Sequence, residues 1–300
     1  MKITNCFVIT ALSVGFFINL AYAQCCSADE SQPAVSPAKP IDTPDPAKAK
    51  ISPQLNHLLD NLEKTGAKLK SFQAKMLFTQ QQILIDTEMI RNGKLYYHTD
   101  KQNLRFRIHF SDWLQRDLED DEQIPQIIRF NEDVVFDGLW VTRRNERNKT
   151  IQKIEISRKR QNKEQFRLGK GPFPLPFAIR KTDVLKEFDA KLLRADPNDP
   201  QGTSHLLLKP KPKSAFADKY LRMDLWIGRK DFLPRQIRYE TDAAEITTVT
   251  WSEIQADKPI AESIFKLEPA DSSWNTEVTF LKEPTSKETS SEEPPSKDSP

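Results

Sequence analysis

The side chains with chemistry to offer fall into four groups, and none of them makes a catalytic frame. Carboxylates crowd Asp117-Leu-Glu-Asp-Asp-Glu122, but the central glycine and ligand spacing of a calcium loop are missing. The histidines, His57, His98, His109 and His205, are too scattered to read as one ligand set. The cysteines are Cys6 and the adjacent pair Cys25-Cys26, so the body of the chain has neither an internal disulfide nor a reactive thiol. Basic residues gather at Arg143, Arg144, Arg147 and Lys149, then at Arg158, Lys159, Arg160 and Lys163. There is no Gly-x-Ser-x-Gly elbow, no phosphate-cradling glycine loop and no pair of metal ligands on one helix or strand. The sequence therefore implies no enzyme, no cofactor and no metal.

The basic groups are ordinarily hairpin tips kept soluble by charge. Their alternative use is a docking surface of Arg143, Arg144, Arg147, Arg158, Lys159 and Arg160 for anionic lipid or an acidic protein. A formal net charge of +2 over 300 residues gives no whole-molecule argument for nucleic acid. What remains is non-covalent chemistry on apolar surface. In Ser71 to Phe110, Phe72, Ala74, Met76 and Phe78 alternate with polar neighbours, and Leu104, Phe106, Ile108 and Phe110 alternate with Arg105, Arg107 and His109. Period two of this kind marks half-buried antiparallel strands, with one face on a core and the other in water. His109 falls on the water side.

The elements that position this face follow in chain order. Ser52-Pro53 caps an amphipathic helix carrying Leu55, Leu58, Leu59 and Leu62, with Gly66 as its expected end. Strands follow at 72–78, 93–97 and 104–110. Residues 111–126 read as a helical or irregular acidic insertion. Further strands are expected at 127–136, 139–143 and 151–156, with the first two joined by a turn at Asp137-Gly138. The segment 169–179 interleaves Pro172, Pro174 and Pro176 with Phe173, Leu175 and Phe177, so it must be an extended apolar crossing rather than a central strand. A short helix at 178–188 precedes strands at 204–209, 220–227, 233–239 and 246–252. The expected class is mainly β (α+β): an unclosed antiparallel β-barrel or strongly curved sheet of at least nine strands, with helices on its concave side.

The ends set compartment and boundaries. Lys2, the apolar run Phe7 to Leu20 and Ala21-Tyr22-Ala23 have the layout of a secretory signal peptide, 1–23. Residues 24–52 form a Pro/Ala-rich linker and 282–300 a Ser/Glu/Pro-rich tail, both expected to be disordered for want of apolar surface. One domain, 53–281, lies between them.

The ordered motifs together resemble the periplasmic outer-membrane lipoprotein carrier (LolA-like) proteins. Those motifs are the leucine-rich first helix running into Ser71-Phe-Gln-Ala-Lys-Met-Leu-Phe-Thr-Gln80, then Gly93-Lys-Leu-Tyr-Tyr97, Asn103-Leu-Arg-Phe106, Asp137-Gly-Leu-Trp140, Gly171-Pro-Phe-Pro-Leu-Pro-Phe177 and Phe265-Lys-Leu-Glu-Pro269. The resemblance implies a periplasmic, monomeric half-barrel that holds lipoprotein acyl chains or other lipid in an apolar cavity and passes them between inner- and outer-membrane transport proteins. The cavity would be lined by Phe72, Met76, Phe78, Leu95, Tyr97, Leu104, Phe106, Ile108 and Phe110, under a lid bearing Phe173, Leu175 and Phe177. Where the family often has Arg-Pro before the third strand, Lys101-Gln102 stands here. A second reading is a lipid-sensing regulatory module that docks on a membrane protein. Export is directly checkable: N-terminal sequencing of the exported protein should start at Gln24, and retention of residues 1–23 or a diacylated Cys25 would reject the cleavage site.

Overall fold

The computed structural model describes residues 51–100, 103–118, 126–158, 177 and 179–281. Helix α1 spans Pro53–Lys68; the hydroxyl of Ser52 accepts the Leu55 N–H at 3.2 Å and Pro53 occupies the first turn, where its missing N–H costs nothing. Leu55, Leu58, Leu59 and Leu62 form its buried stripe. The helix does not end at Gly66 but runs on for two residues. Glycine is needed there for a different reason: a Cβ at that position would lie 2.0 Å from the carbonyl oxygen of Phe177. The residue lets another segment cross against the helix.

The strands are β1 (Ser71–Gln82), β2 (Thr87–Asp100), β3 (Asn103–Asp117), β4 (Gln126–Phe136), β5 (Trp140–Asn145), β6 (Thr150–Glu155), β7 (Phe188–Leu192), β8 (Thr203–Pro210), β9 (Arg222–Gly228), β10 (Pro234–Glu240), β11 (Glu245–Ala256) and β12 (Asn275–Thr279), with helix α2 at Lys181–Glu187 before β7. They form one curved sheet in the order β12-β6-β5-β4-β3-β2-β1-β11-β10-β9-β8-β7. Two meanders, β1 to β6 and β7 to β11, are joined by antiparallel pairing of β1 with β11, as in Met76 opposite Trp251 and Phe78 opposite Val249. β12 adds to β6 in parallel. β7 and β12 are the two edges, so the sheet does not close. The mainly β, unclosed architecture expected from the alternation is what the chain adopts.

One expected element is corrected. Residues 111–117 are not an irregular or helical insertion but the second half of β3, and β4 begins at Gln126. Ser111 is skipped in the pairing of β3 with β2, and such a bulge shifts the side-chain alternation by one. Phe110 and Trp113 therefore both face inward, and the simple alternation breaks just where the strand continues. The β4–β5 turn is as expected: Gly138 has φ 111°, and the Asp137 carboxylate accepts the Leu139 and Trp140 N–H groups, each at 2.9 Å.

α1 lies on the inner face of the sheet and α2 is tied to it, with Lys181 Nζ 2.8 Å from Asp60 Oδ1 and the Lys181 N–H donating to Glu63. From Ala256 the chain turns onto the outer face. The Lys70 N–H meets Asp257 at 2.7 Å, Arg105 pairs with Glu262, Arg107 donates to the Ile264 carbonyl at 3.0 Å, and Arg144 donates to the Glu268 carbonyl at 2.7 Å. This outer strap delivers β12 to its edge. Among the described residues no helix is long and apolar enough to cross a membrane.

Gly66→Ala tests the close crossing at α1. Alanine is about 1 kcal/mol better in a helix interior, yet here its methyl group meets a backbone carbonyl, and overpacking of this kind costs ~1–3 kcal/mol. Urea unfolding should show a net loss of stability; a gain would mean that Phe177 does not press on the helix.

Candidate functional site

The residues singled out by alternation come together on one face. Phe72, Met76 and Phe78 of β1, Leu95 and Tyr97 of β2, and Leu104, Phe106 and Phe110 of β3 are all buried in a single layer with the leucines of α1, and Ile108 packs against it half-buried. Cross-strand register explains the assembly: Tyr97 is paired with Phe72 on one side and Phe106 on the other, and Phe106 with Phe136 of β4. Directly opposed residues on adjacent strands share a face. The layer is filled by its own rings. Phe106 and Phe136 are 5.7 Å apart, and Phe78 meets Phe110 edge-on at 6.2 Å.

Phe177 is the one described residue of the expected lid trio. It is buried, 5.1 Å from the Phe72 ring and 4.5 Å from that of Tyr97, and its backbone abuts Gly66. Phe173 and Leu175 lie outside the described residues, as do Lys101 and Gln102. Burial pushes the Tyr97 hydroxyl up to about 12, against an opposing hydrogen bond with Thr99. On β11, Trp251 faces the same layer opposite Met76, and its buried indole N–H has no acceptor among the described residues.

The inner face is not apolar throughout. Arg91 continues the parity of Tyr97 and Leu95 back along β2 and stands opposite Phe78, only 2% exposed. Its guanidinium lies 3.9 Å over the Phe110 ring and 3.2 Å from Glu132, which also receives Arg143 through both carboxylate oxygens (3.0 and 3.2 Å) and Asn145 at 2.9 Å. Burial pulls the Arg91 pKa down, and Glu132 opposes that pull. The sequence reading missed Arg91 and Glu132, although Arg91 was within reach: carrying the period of two back four residues from Leu95 lands on it.

The expected docking residues do not share one surface. Arg143 and Arg144 leave β5 on opposite faces, the first toward Glu132 and the second onto the strap, where it lies 4.3 Å over Trp274. Arg147 lies 5.5 Å over Trp113, and Arg158 donates to the Leu281 carbonyl at 2.9 Å. Lys159 and Arg160 are outside the described residues. His109 is on the outer face but not simply solvated: its Nδ1 lies 3.0 Å from Asp133, which also receives Arg107 at 2.7 Å. A polar cleft of about 550 Å³ lies apart from the apolar layer, at Lys186, Glu187 and residues 211–215.

No protein-family model matches the sequence, and no curated protein matches it. Among solved structures the chain is similar to an uncharacterised conserved protein from Thermus thermophilus (14% identity, TM-score 0.42, covering 76% of this chain and 99% of that one). It is also similar to the Pseudomonas aeruginosa MucA/MucB complex structure (12%, TM-score 0.38, 71% of this chain but only 60% of that one) and to the LolA superfamily protein NE2245 from Nitrosomonas europaea (10%, TM-score 0.31, 71% and 97%). The superfamily that the sequence motifs resemble thus recurs among the structures the chain is similar to. At these identities and TM-scores the likenesses carry nothing about ligand or partner.

Asp133 gives the outer face a pH dependence. Burial works against its charge, but the hydrogen bonds from His109 and Arg107 outweigh it and hold the carboxyl below its ordinary value. A carboxylate depressed in the folded state contributes stability that is present above its unfolded pKa of ~3.9 and lost as pH falls through the folded value. Asp133→Asn should lower stability at pH 7 by about 1–3 kcal/mol and flatten the acid limb of urea midpoint against pH below ~5. An unchanged acid limb would remove Asp133 from the account.

Proposed function

We propose that this protein is a periplasmic carrier that takes acyl chains of lipoproteins, or of other lipids, onto the inner face of its half-barrel and passes them toward the outer membrane without covalent chemistry. The observation that carries this reading is the position of Phe177. The end of a proline-spaced apolar segment is set as a wedge between Phe72 and Tyr97, against a helix position where a Cβ would collide with its carbonyl. Withdrawing the Phe177 ring would open the aromatic layer beside Phe72 and Tyr97 to a linear hydrocarbon. An acyl chain would replace the ring contacts that the wedge gives up, so opening and loading offset one another. Trp251 strengthens the reading. Its buried N–H, without an acceptor among the described residues, suits the ester or amide carbonyl at the head of an acyl chain.

Binding of a fluorescent fatty-acid probe, followed together with urea unfolding, tests the proposal. The parent protein should bind the probe, and Phe106→Glu should abolish binding, because an ionised carboxylate among apolar rings is desolvated without a partner. If the layer is only a core, the parent will not bind and Phe106→Ala will cost the ~3–5 kcal/mol of an ordinary large-to-small change.

A further inference from the structure

Among the described residues, three consecutive large aliphatic side chains are exposed together at one hairpin end. Between β1 and β2 the chain makes a single 3₁₀ turn of Ile83, Leu84 and Ile85, which are 42%, 77% and 59% exposed. A run of three consecutive exposed large aliphatic side chains is unfavourable in water unless it has a use. The turn is well formed rather than frayed. The Ile83 N–H donates to the Ala244 carbonyl at 3.0 Å, Asp86 closes the turn at φ 48°, and its carbonyl accepts the Leu118 N–H at 2.6 Å. These ties to the neighbouring β10–β11 turn and to the end of β3 fix the tip, and they leave less of its backbone to be desolvated on entering an apolar phase.

Below the tip is a polar collar. Gln82 is paired with Thr87; in the next row Gln81 donates to Glu88 at 2.9 Å and Arg116 donates to Glu88 at 2.6 Å. The charges around the tip are mainly acidic: Asp86 follows Ile85 directly, Asp117 is paired with Thr87, Glu245 with Gln82, and Asp242 sits in the β10–β11 turn. We infer that the Ile83-Leu84-Ile85 turn is a membrane-contact tip that inserts into the headgroup layer of a zwitterionic bilayer. Two observations choose this occupant over a protein. The three side chains expose on the order of 300 Å², well under half of the ~800 Å² that each side of a stable protein interface buries. Their setting is a hairpin end with a polar collar, the layout of a shallow interfacial anchor. The acidic surroundings exclude anionic lipid as the attraction, so the basic residues of β5 and β6 take no part.

The inference goes beyond the acyl-carrier reading and does not depend on it: probe binding reports the inner face, and vesicle partition reports the tip. The exported protein is mixed with phosphatidylcholine vesicles and sedimented, while hydrogen exchange is followed over residues 81–88. The parent should partition to the vesicles equally well in low and high salt, gain nothing from added phosphatidylglycerol, and exchange more slowly across the tip when vesicles are present. The double variant Leu84→Asn/Ile85→Asn should fold with an unchanged thermal midpoint and partition at least tenfold more weakly. Phe280→Ser, which removes an equally exposed ring at the β12 edge, should partition like the parent. Absence of parent binding, equal binding by the double variant, unaltered exchange over 81–88 or loss of binding in high salt would each overturn the inference. So would a concentration-dependent dimer of the parent that the double variant dissolves, since a second copy would then be the occupant.

Discussion

Everything in this structure depends on the pairing of β1 with β11. Each meander alone would be an open sheet with a raw edge and an apolar face too narrow to enclose anything. Hydrogen-bonded along β1, they become one sheet whose inner face carries Phe72, Phe78, Val249, Trp251 and Ile237 as a continuous surface. The right-handed twist of paired strands then curls that surface inward. A sheet this wide presents more apolar area than one sixteen-residue helix covers. The remainder must be met by something else, and in this structure part of it is met by Phe177.

The same geometry explains where the charges sit. On the inner face of β2, β4 and β5 the chain places Arg91, Glu132, Arg143 and Asn145 instead of more hydrocarbon. A buried ionic group of this kind is weak evidence for stability, because desolvation consumes most of its Coulomb attraction. Its physical effect is positional: it marks where the apolar layer stops, and Arg91 stacked on Phe110 is the seam between the two regimes. The outer face uses arginine differently. Arg105, Arg107 and Arg144 hold a strap whose buried apolar anchor is Phe265, so the outer covering rests on polar and charged contacts while the inner one rests on packing.

The sequence by itself determined the sheet and its faces. Period two in Phe72 to Phe78 and in Leu104 to Phe110 survives folding because the side-chain alternation of a strand is a local property of the backbone. The Ser52-Pro53 start of α1 and the Asp137-Gly138 turn were legible for the same reason, each being fixed by backbone dihedrals within a few residues. The tertiary structure alone decided what crosses what. Gly66 looked like a helix end, and only the approach of Phe177 from more than a hundred residues away shows why a Cβ is excluded there. Ser111 looked like the start of an insertion because a bulge shifts the pattern without leaving a signature in composition. Arg143 and Arg144 looked like one basic patch because charge adds along a sequence, whereas neighbours on a strand part to opposite faces and meet different partners. Partners distant in sequence are set by register and curvature, which no local pattern encodes.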